Sequence, residues 1–212
     1  QNLAGALERG AVLVEGDLRD PEGLASALRE HAPDRIFHLG AQVNVRRAVA
    51  DPGFDATVNV LGTIHLLEAA RRLPGASVVF VSTGGAIYGE GTGRRLPFDE
   101  QAAARPEAAY GASKLAGEVY VRLYRNLYRM PAVAMRLGNV YGPRQDPEGE
   151  AGVVSIFADL LRAGSRLQIF GDVKPVAGGK WDGGWIIDPE KDLKTKYSVE
   201  LTLLNAKSPK AV

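Results

Sequence analysis

The chain has 212 residues, 45% of them hydrophobic and 24% charged, with a formal net charge of +1. That is enough for one α/β domain with a real core, and it gives no general pull toward nucleic acid or a membrane surface. With no cysteine there can be neither disulfides nor thiolate metal sites, and the three histidines, His31, His38 and His65, lack metal-ligand spacing, so no metal is expected.

"AVLVEGD" (11–17) predicts a short strand, and "RDPEGLASALREHAP" after it predicts a helix with Asp20 as N-cap and Pro21 at the first helical position. "DRIFHLGA" (34–41) reads as a buried strand. Helices follow over roughly 42–50 and 54–72, the second with Val58, Leu61, Ile64 and Leu67 on one side. "ASVVFVSTGGAIYGE" (76–90) is a strand running into a glycine-rich loop, and "EAAYGASKLAGEVYVRLYRNLY" (107–128) is a long helix. "PAVAMRLGNVYGPR" (131–144) is a strand into a loop, and "AGVVSIFADLLRAG" (151–164) is again helical. Nowhere is an apolar run long enough to span a bilayer, and the first ten residues lack a signal-peptide core, so a cytoplasmic setting is expected. Gln1 replaces an initiator Met, and the expectation is a chain that starts inside a longer protein.

Composition shifts near Asp172. Before it the basic residues are eighteen Arg and one Lys, Lys114; from Val173 onward they are seven Lys and no Arg, and Trp181 and Trp185 both fall there. The expected division is 1–172 and 173–212, the latter a β-prone tail of different character in which "KYSVELTLL" alternates polar and apolar.

Apolar strands alternating with helices imply a parallel sheet buried on both faces, with ligands at the carboxyl ends of its strands. Residues four apart on a helix share a face, which brings Lys114 within reach of Tyr110. A neighbouring ammonium favours phenolate, so the Tyr110 pKa is expected below its ordinary value, making it usable as a base near neutral pH. Spacing alone arises often by chance on amphipathic helices.

"VEGDLRDP", "DRIFHLGAQ", "NVLGTIHLLEAA", "FVSTGGAIYGE", "YGASK" and "RLGNVYGPR" occur in this order. Together, over about residues 1–172, they resemble the extended short-chain dehydrogenase/reductase family, in its nucleotide-sugar epimerase and dehydratase branch, with UDP-glucose 4-epimerases the nearest likeness. The resemblance implies a Rossmann-like doubly wound parallel sheet, NAD as cofactor and a nucleotide sugar, most readily a UDP-sugar, as substrate. It implies Tyr110 as catalytic base, Lys114 as its partner and ribose ligand, Asp17 and Leu18 as adenine contacts, and Leu39, Gly40, Ala41 and Gln42 along the cofactor. Asn59 resembles the residue supporting the lysine region, and Asn139 the asparagine at the sugar-nucleotide diphosphate. Read by themselves, Asp17 is equally a turn residue and Asn59 a buried helix polar group.

The family hydroxyl position falls on Gly84, so Thr83, and after it Ser82, are the expected third catalytic and substrate-binding group. Gly84 and Gly85 replace the acidic pair by which sugar dehydratases eliminate water, which puts epimerase ahead of dehydratase. No G-x-x-G-x-x-G precedes Asp17, and the first βαβ elements and the substrate lobe are expected to be missing, leaving an apolar sheet edge. A noncatalytic fragment or assembly module therefore stands as an alternative, as does a dehydratase or reductase with the same dyad. Family members commonly dimerise through the tyrosine helix, and "LAGEVYVRLYRNLY" offers a stripe for it, although core packing would explain that stripe equally well.

Overall fold

A computed structural model describes residues 3–91, 94, 96–146 and 152–165, together with the backbone of 174–176 and 180–182. The chain divides into two compact units, residues 1–165 and 166–212. In the second, β4 (Lys174–Val176) pairs antiparallel with β5 (Lys180–Asp182); the strand expected at "KYSVELTLL" lies outside the described residues.

In the first unit a short helix α1 (Ala4–Leu7) precedes the stretch expected to be a strand. That strand is not formed. Residues 11–17 are exposed, Val12 at 71%, and no described strand runs beside them to complete a ladder. Helix α2 (Pro21–His31) begins where expected: the Asp20 carboxylate accepts from the Glu22 and Gly23 amides, and Pro21 sits at the position where a missing N–H costs nothing. Strand β1 (Arg35–His38) follows, then α3 (Val45–Ala50) and α4 (Pro52–Ala56).

From α4 the chain passes through one wide, π-helical turn, Thr57–Leu61, into α5 (Gly62–Ala70). The extra residue in that turn shifts the helical face. Leu61, expected on the buried side, is 48% exposed, while Asn59, Thr63, Leu66 and Leu67 point inward. Strand β2 (Ser77–Thr83) ends in a short helix, α6 (Gly84–Ile87), where a glycine-rich loop was expected. An added Cβ on Gly84 would stand 3.2 Å from the Leu137 carbonyl oxygen, so glycine allows this turn to pass close to its neighbour. Then come α7 (Ala109–Tyr128), β3 (Ala132–Leu137) and α8 (Val153–Arg162).

The sheet is parallel with order β1-β2-β3, Phe37 level with Val79 and Val79 with Val133. Its core lies on one face. Ile36, Val78, Phe80 and Ala132 meet Leu66, Leu67 and Ala70 of α5 and Val121 and Tyr124 of α7, with Leu24 and Leu28 of α2 packed on the outside. Helix α7 comes in very close: a Cβ on Gly117 would lie 2.6 Å from the Phe80 ring. On the opposite face Phe37, Val133 and Met135 are 63%, 48% and 46% exposed, so among the described residues the expected two-sided burial is met on one side only.

Candidate active site

Strands β1 and β2 and helix α7 bring most of the expected residues to the carboxyl edge of the sheet. Tyr110 occupies the first turn of α7, half-buried, and Lys114 the next turn, 3% exposed. The Lys114 ammonium donates to the Val81 carbonyl at 2.7 Å and lies 4.7 Å from the centre of the Phe80 ring. Desolvation drives its pKa down to about 8, opposed by the charge of Asp55.

Tyr110 departs from expectation. Its phenol is pushed up, first by burial and then by the negative charge of Asp55. Helical spacing places lysine and tyrosine on one face, but the Lys114 hydrogen bond goes to the β2 backbone, and Asp55, four residues before Asn59, disfavours phenolate.

Beneath the dyad lies a buried polar network. Asn59, in the π-helical turn, forms a reciprocal pair with the Gln42 backbone: its amide oxygen accepts from the Gln42 N–H at 2.8 Å and its amide nitrogen donates to the Gln42 carbonyl at 2.9 Å. The same nitrogen lies 3.1 Å from Asp55 Oδ1 and 3.2 Å from Ser113 Oγ, and Ser113 Oγ donates to the Tyr110 carbonyl at 3.0 Å. The Gln42 side chain closes the loop after β1, accepting from the Asn44 N–H and donating to the Asn44 carbonyl and to Asp55 Oδ1. Asp55 Oδ2 is buried with no hydrogen-bond partner.

His38, at the end of β1, is 4% exposed. Because the Thr63 hydroxyl gives its proton to the Asn59 carbonyl at 2.6 Å, it can only accept from His38 Nε2 at 3.0 Å, which fixes the tautomer with the proton on Nε2. Burial and then Lys114 hold the His38 pKa down to about 4, so the ring is neutral.

At the end of β2, Ser82 is buried with a hydroxyl that finds no partner, and Thr83 is half-buried at the entrance to α6. Leu39 is 65% exposed past the end of β1, and Leu18 packs where added Cβ atoms on Gly40 and Gly62 would meet it at 3.2 and 2.8 Å, its carbonyl also bound by His65. Asp17 is exposed and already gripped by Arg19 through both carboxylate oxygens, which lowers its pKa to about 2. Arg19 and Arg47 lie against the Phe54 ring, 5.4 and 4.0 Å from its centre. Asn139 is exposed beyond β3 and joins no described hydrogen bond of the network.

A second polar cluster braces the site from the β3 side. Arg136 makes a bidentate pair with Glu118 of α7, the shortest contact 2.6 Å, and donates to the Tyr88 hydroxyl at 2.7 Å. Tyr88 stacks on Phe98, and Arg94 ties the intervening loop through the Tyr88 and Ala103 carbonyls. The sequence reading missed Asp55, Ser113, His38 and Thr63. One signal was present: Asp55, Asn59 and Thr63 stand four apart in an otherwise apolar helical stretch. Among the described residues no cluster of three or more metal-ligating side chains occurs, and no helix is long and apolar enough to cross a membrane.

The parallel sheet with helices packed on it is a Rossmann-like fold, of the kind that takes ligands at the carboxyl ends of its strands. The family model of GDP-mannose 4,6 dehydratase matches residues 1–181. The chain belongs to this family, in the nucleotide-sugar epimerase and dehydratase branch of the extended short-chain dehydrogenase/reductases. It is 50% identical to the UDP-glucose 4-epimerase of Mycolicibacterium smegmatis over 159 residues, 75% of this chain and 50% of that protein. Among solved structures it resembles the UDP-glucose 4-epimerase of Thermotoga maritima with UDP-glucose, at TM-score 0.72 and 39% identity over 77% of this chain and 53% of the other. It likewise resembles the Thermus thermophilus UDP-glucose 4-epimerase in complex with NAD, at TM-score 0.66 and 46% identity over 76% and 51%. The chain thus spans about half the length of these relatives.

Proposed function

We propose that this chain carries the proton-transfer half of an NAD-dependent nucleotide-sugar 4-epimerase acting on UDP-glucose and UDP-galactose. The observation that carries this reading is Tyr110 and Lys114 on successive turns of α7 at the carboxyl edge of β2, with Lys114 buried and anchored to Val81. The 50% and 39% identities to UDP-glucose 4-epimerases support the choice of reaction.

The residues present fit the cofactor. Ser82 has a buried hydroxyl without a partner, Leu39 offers an uncovered apolar surface beyond β1, and Lys114 uses one of its three ammonium protons on Val81. Asp17 and Leu18 would hold its adenine end, Leu39 to Gln42 would line it, and Lys114 would bind its ribose. When bound, NAD supplies a reversible hydride acceptor for the sugar carbon. Tyr110 holds the mobile proton at its phenol oxygen, the Thr83 hydroxyl orients the reacting sugar oxygen, and Asn139 meets the diphosphate. Ser113 and Asn59 keep the Tyr110 turn in place.

The direct test uses the chain restored at both ends to the length of its relatives. Purified protein should carry NAD and interconvert UDP-glucose and UDP-galactose, and Tyr110→Phe should keep the cofactor while losing about 100- to 10,000-fold in turnover. Absence of both cofactor and turnover would refute the reading. A dehydratase, the reaction in the family model's name, would instead release a 4-keto-6-deoxy sugar; Gly84 and Gly85 speak against it, since neither can act as acid or base. A noncatalytic role is the competing reading, and turnover by the 212-residue chain alone would exclude it.

Val119, Leu123 and Leu127, 46%, 45% and 61% exposed, form an outward stripe on α7 at four-residue spacing. We propose that a second copy packs there, so that Leu123→Glu yields a monomer by light scattering while the parent protein is a dimer.

A further inference from the structure

Asp55 is 1% exposed, yet it takes part in none of the ion pairs Arg19–Asp17, Arg71–Glu68 and Arg136–Glu118. A carboxylate removed from water is costly unless another charge or a full set of donors compensates. Oδ1 receives two neutral donors, Gln42 Nε2 and Asn59 Nδ2, and Oδ2 receives none. Across the packed α4 and α7 helices lies the complementary anomaly: Lys114, 3% exposed, has a carbonyl and a ring face around its ammonium and, among the described residues, no carboxylate in contact.

We propose, resting on the reading of this site as catalytic, that Asp55 is a positioning residue for the Tyr110–Lys114 dyad. Its carboxylate is the counter-charge of the Lys114 ammonium, and through Asn59 and Ser113 it fixes the first turn of α7. Contacts run from Asp55 Oδ1 to Asn59 Nδ2, to Ser113 Oγ, to the Tyr110 carbonyl, with the two Asn59 amide protons shared among Asp55, Ser113 and the Gln42 carbonyl. The charges around the dyad are accounted for: His38 from β1 is neutral, Arg46 and Arg47 on α3 are exposed, and Arg136 from β3 is neutralised by Glu118 farther along α7. Among the described residues Asp55 is then the one buried carboxylate facing the dyad. Burial lowers the Lys114 pKa and Asp55 opposes that loss, while burial raises the Tyr110 pKa and Asp55 adds to the rise.

The test reads Lys114 directly in cofactor-free protein. With lysine 13C-labelled at Cε, the Lys114 resonance is identified by its loss in Lys114→Met and titrated with pH. The parent midpoint should lie at about 8, and Asp55→Asn should lower it by about one unit, a tenfold loss of proton affinity; an unchanged midpoint overturns the proposal. No turnover enters this measurement, so a failed epimerase assay refutes the functional reading and leaves the titration result standing. The second arm is urea unfolding of Asp55→Asn, Lys114→Met and the double variant. The double variant should lose less than the two single losses combined, and additive losses overturn the proposal. Should Asp55→Asn fail to fold alone, cooperative unfolding of the double variant supports it and failure of the double to fold overturns it.

Discussion

The Asn59 side chain and the Gln42 backbone bond to each other in both directions, amide oxygen to N–H and amide nitrogen to carbonyl. The side chain takes the place a neighbouring strand would have at the point where β1 gives way to its loop, satisfying two buried main-chain groups at once. Asn59→Ala leaves both unpaired and should cost about 3 kcal/mol in denaturant unfolding. Asn59→Asp is isosteric but replaces the donor by an oxygen facing the Gln42 carbonyl and Asp55, and it should be no more stable than the alanine variant at pH 7.

Gly111 follows Tyr110, and a Cβ there would collide with the Ala86 carbonyl of α6 and stand 3.1 Å from Pro106. Gly111→Ala should therefore destabilise the fold by about 1 to 3 kcal/mol. It should also move the phenol, and on the proposed reading a displacement of ~1 Å is enough to lower turnover roughly 100-fold. Steady-state kinetics beside thermal unfolding separates the two effects.

Arg136 and Glu118 join β3 to α7, their side chains 23% and 11% exposed. Arg136→Met strands the carboxylate and should cost about 2 kcal/mol. Arg136→Lys recovers part of that, since a single ammonium cannot reproduce the fork that meets Glu118 and Tyr88 together. Adding Glu118→Gln to Arg136→Met should restore stability relative to Arg136→Met alone, a result an urea-based double-mutant cycle would show.

His38 makes stability depend on pH in a defined window. Its folded pKa, about 4, lies below the 6.5 of a free histidine, so the unfolded chain binds a proton that the folded chain refuses. Stability is at its full value above pH 6.5 and falls as pH drops from 6.5 toward 4, by on the order of 3 kcal/mol from this group. His38→Gln should flatten that part of the profile; an unaltered slope in the variant would assign the dependence to other groups.

Most of the element order from α2 to α8, the short helix α6 excepted, could be read in the sequence, because Asp20-Pro21, the apolar run "SVVFVS" and the long stripe after Tyr110 each carry a local physical signature. So could the convergence of Gln42, Asn59, Tyr110 and Lys114, through the order of their motifs. Residues 11–17 misled because a β-branched run states a preference, whereas a strand needs a neighbour. The direction of the Tyr110 shift was hidden for a related reason: spacing reports that lysine shares its face but says nothing of desolvation or of a carboxylate on another helix. Asp55 and Ser113 went unnoticed since nothing about a single Asp or Ser announces burial.

The wide turn at Thr57–Leu61 lets one helix run in two phases. Upstream of it Asp55 is aimed at the dyad; downstream Thr63, Leu66, Leu67 and Ala70 are aimed at the sheet, and Asn59 sits where the phases meet. Deleting a single residue from the turn would leave an ordinary helix whose two halves could not both be in step, so either the polar network or the core would rotate out of place by about 100°. Length in this segment is thus under tighter constraint than residue identity: many substitutions at Val58 or Val60 are compatible with the arrangement, and no one-residue deletion is.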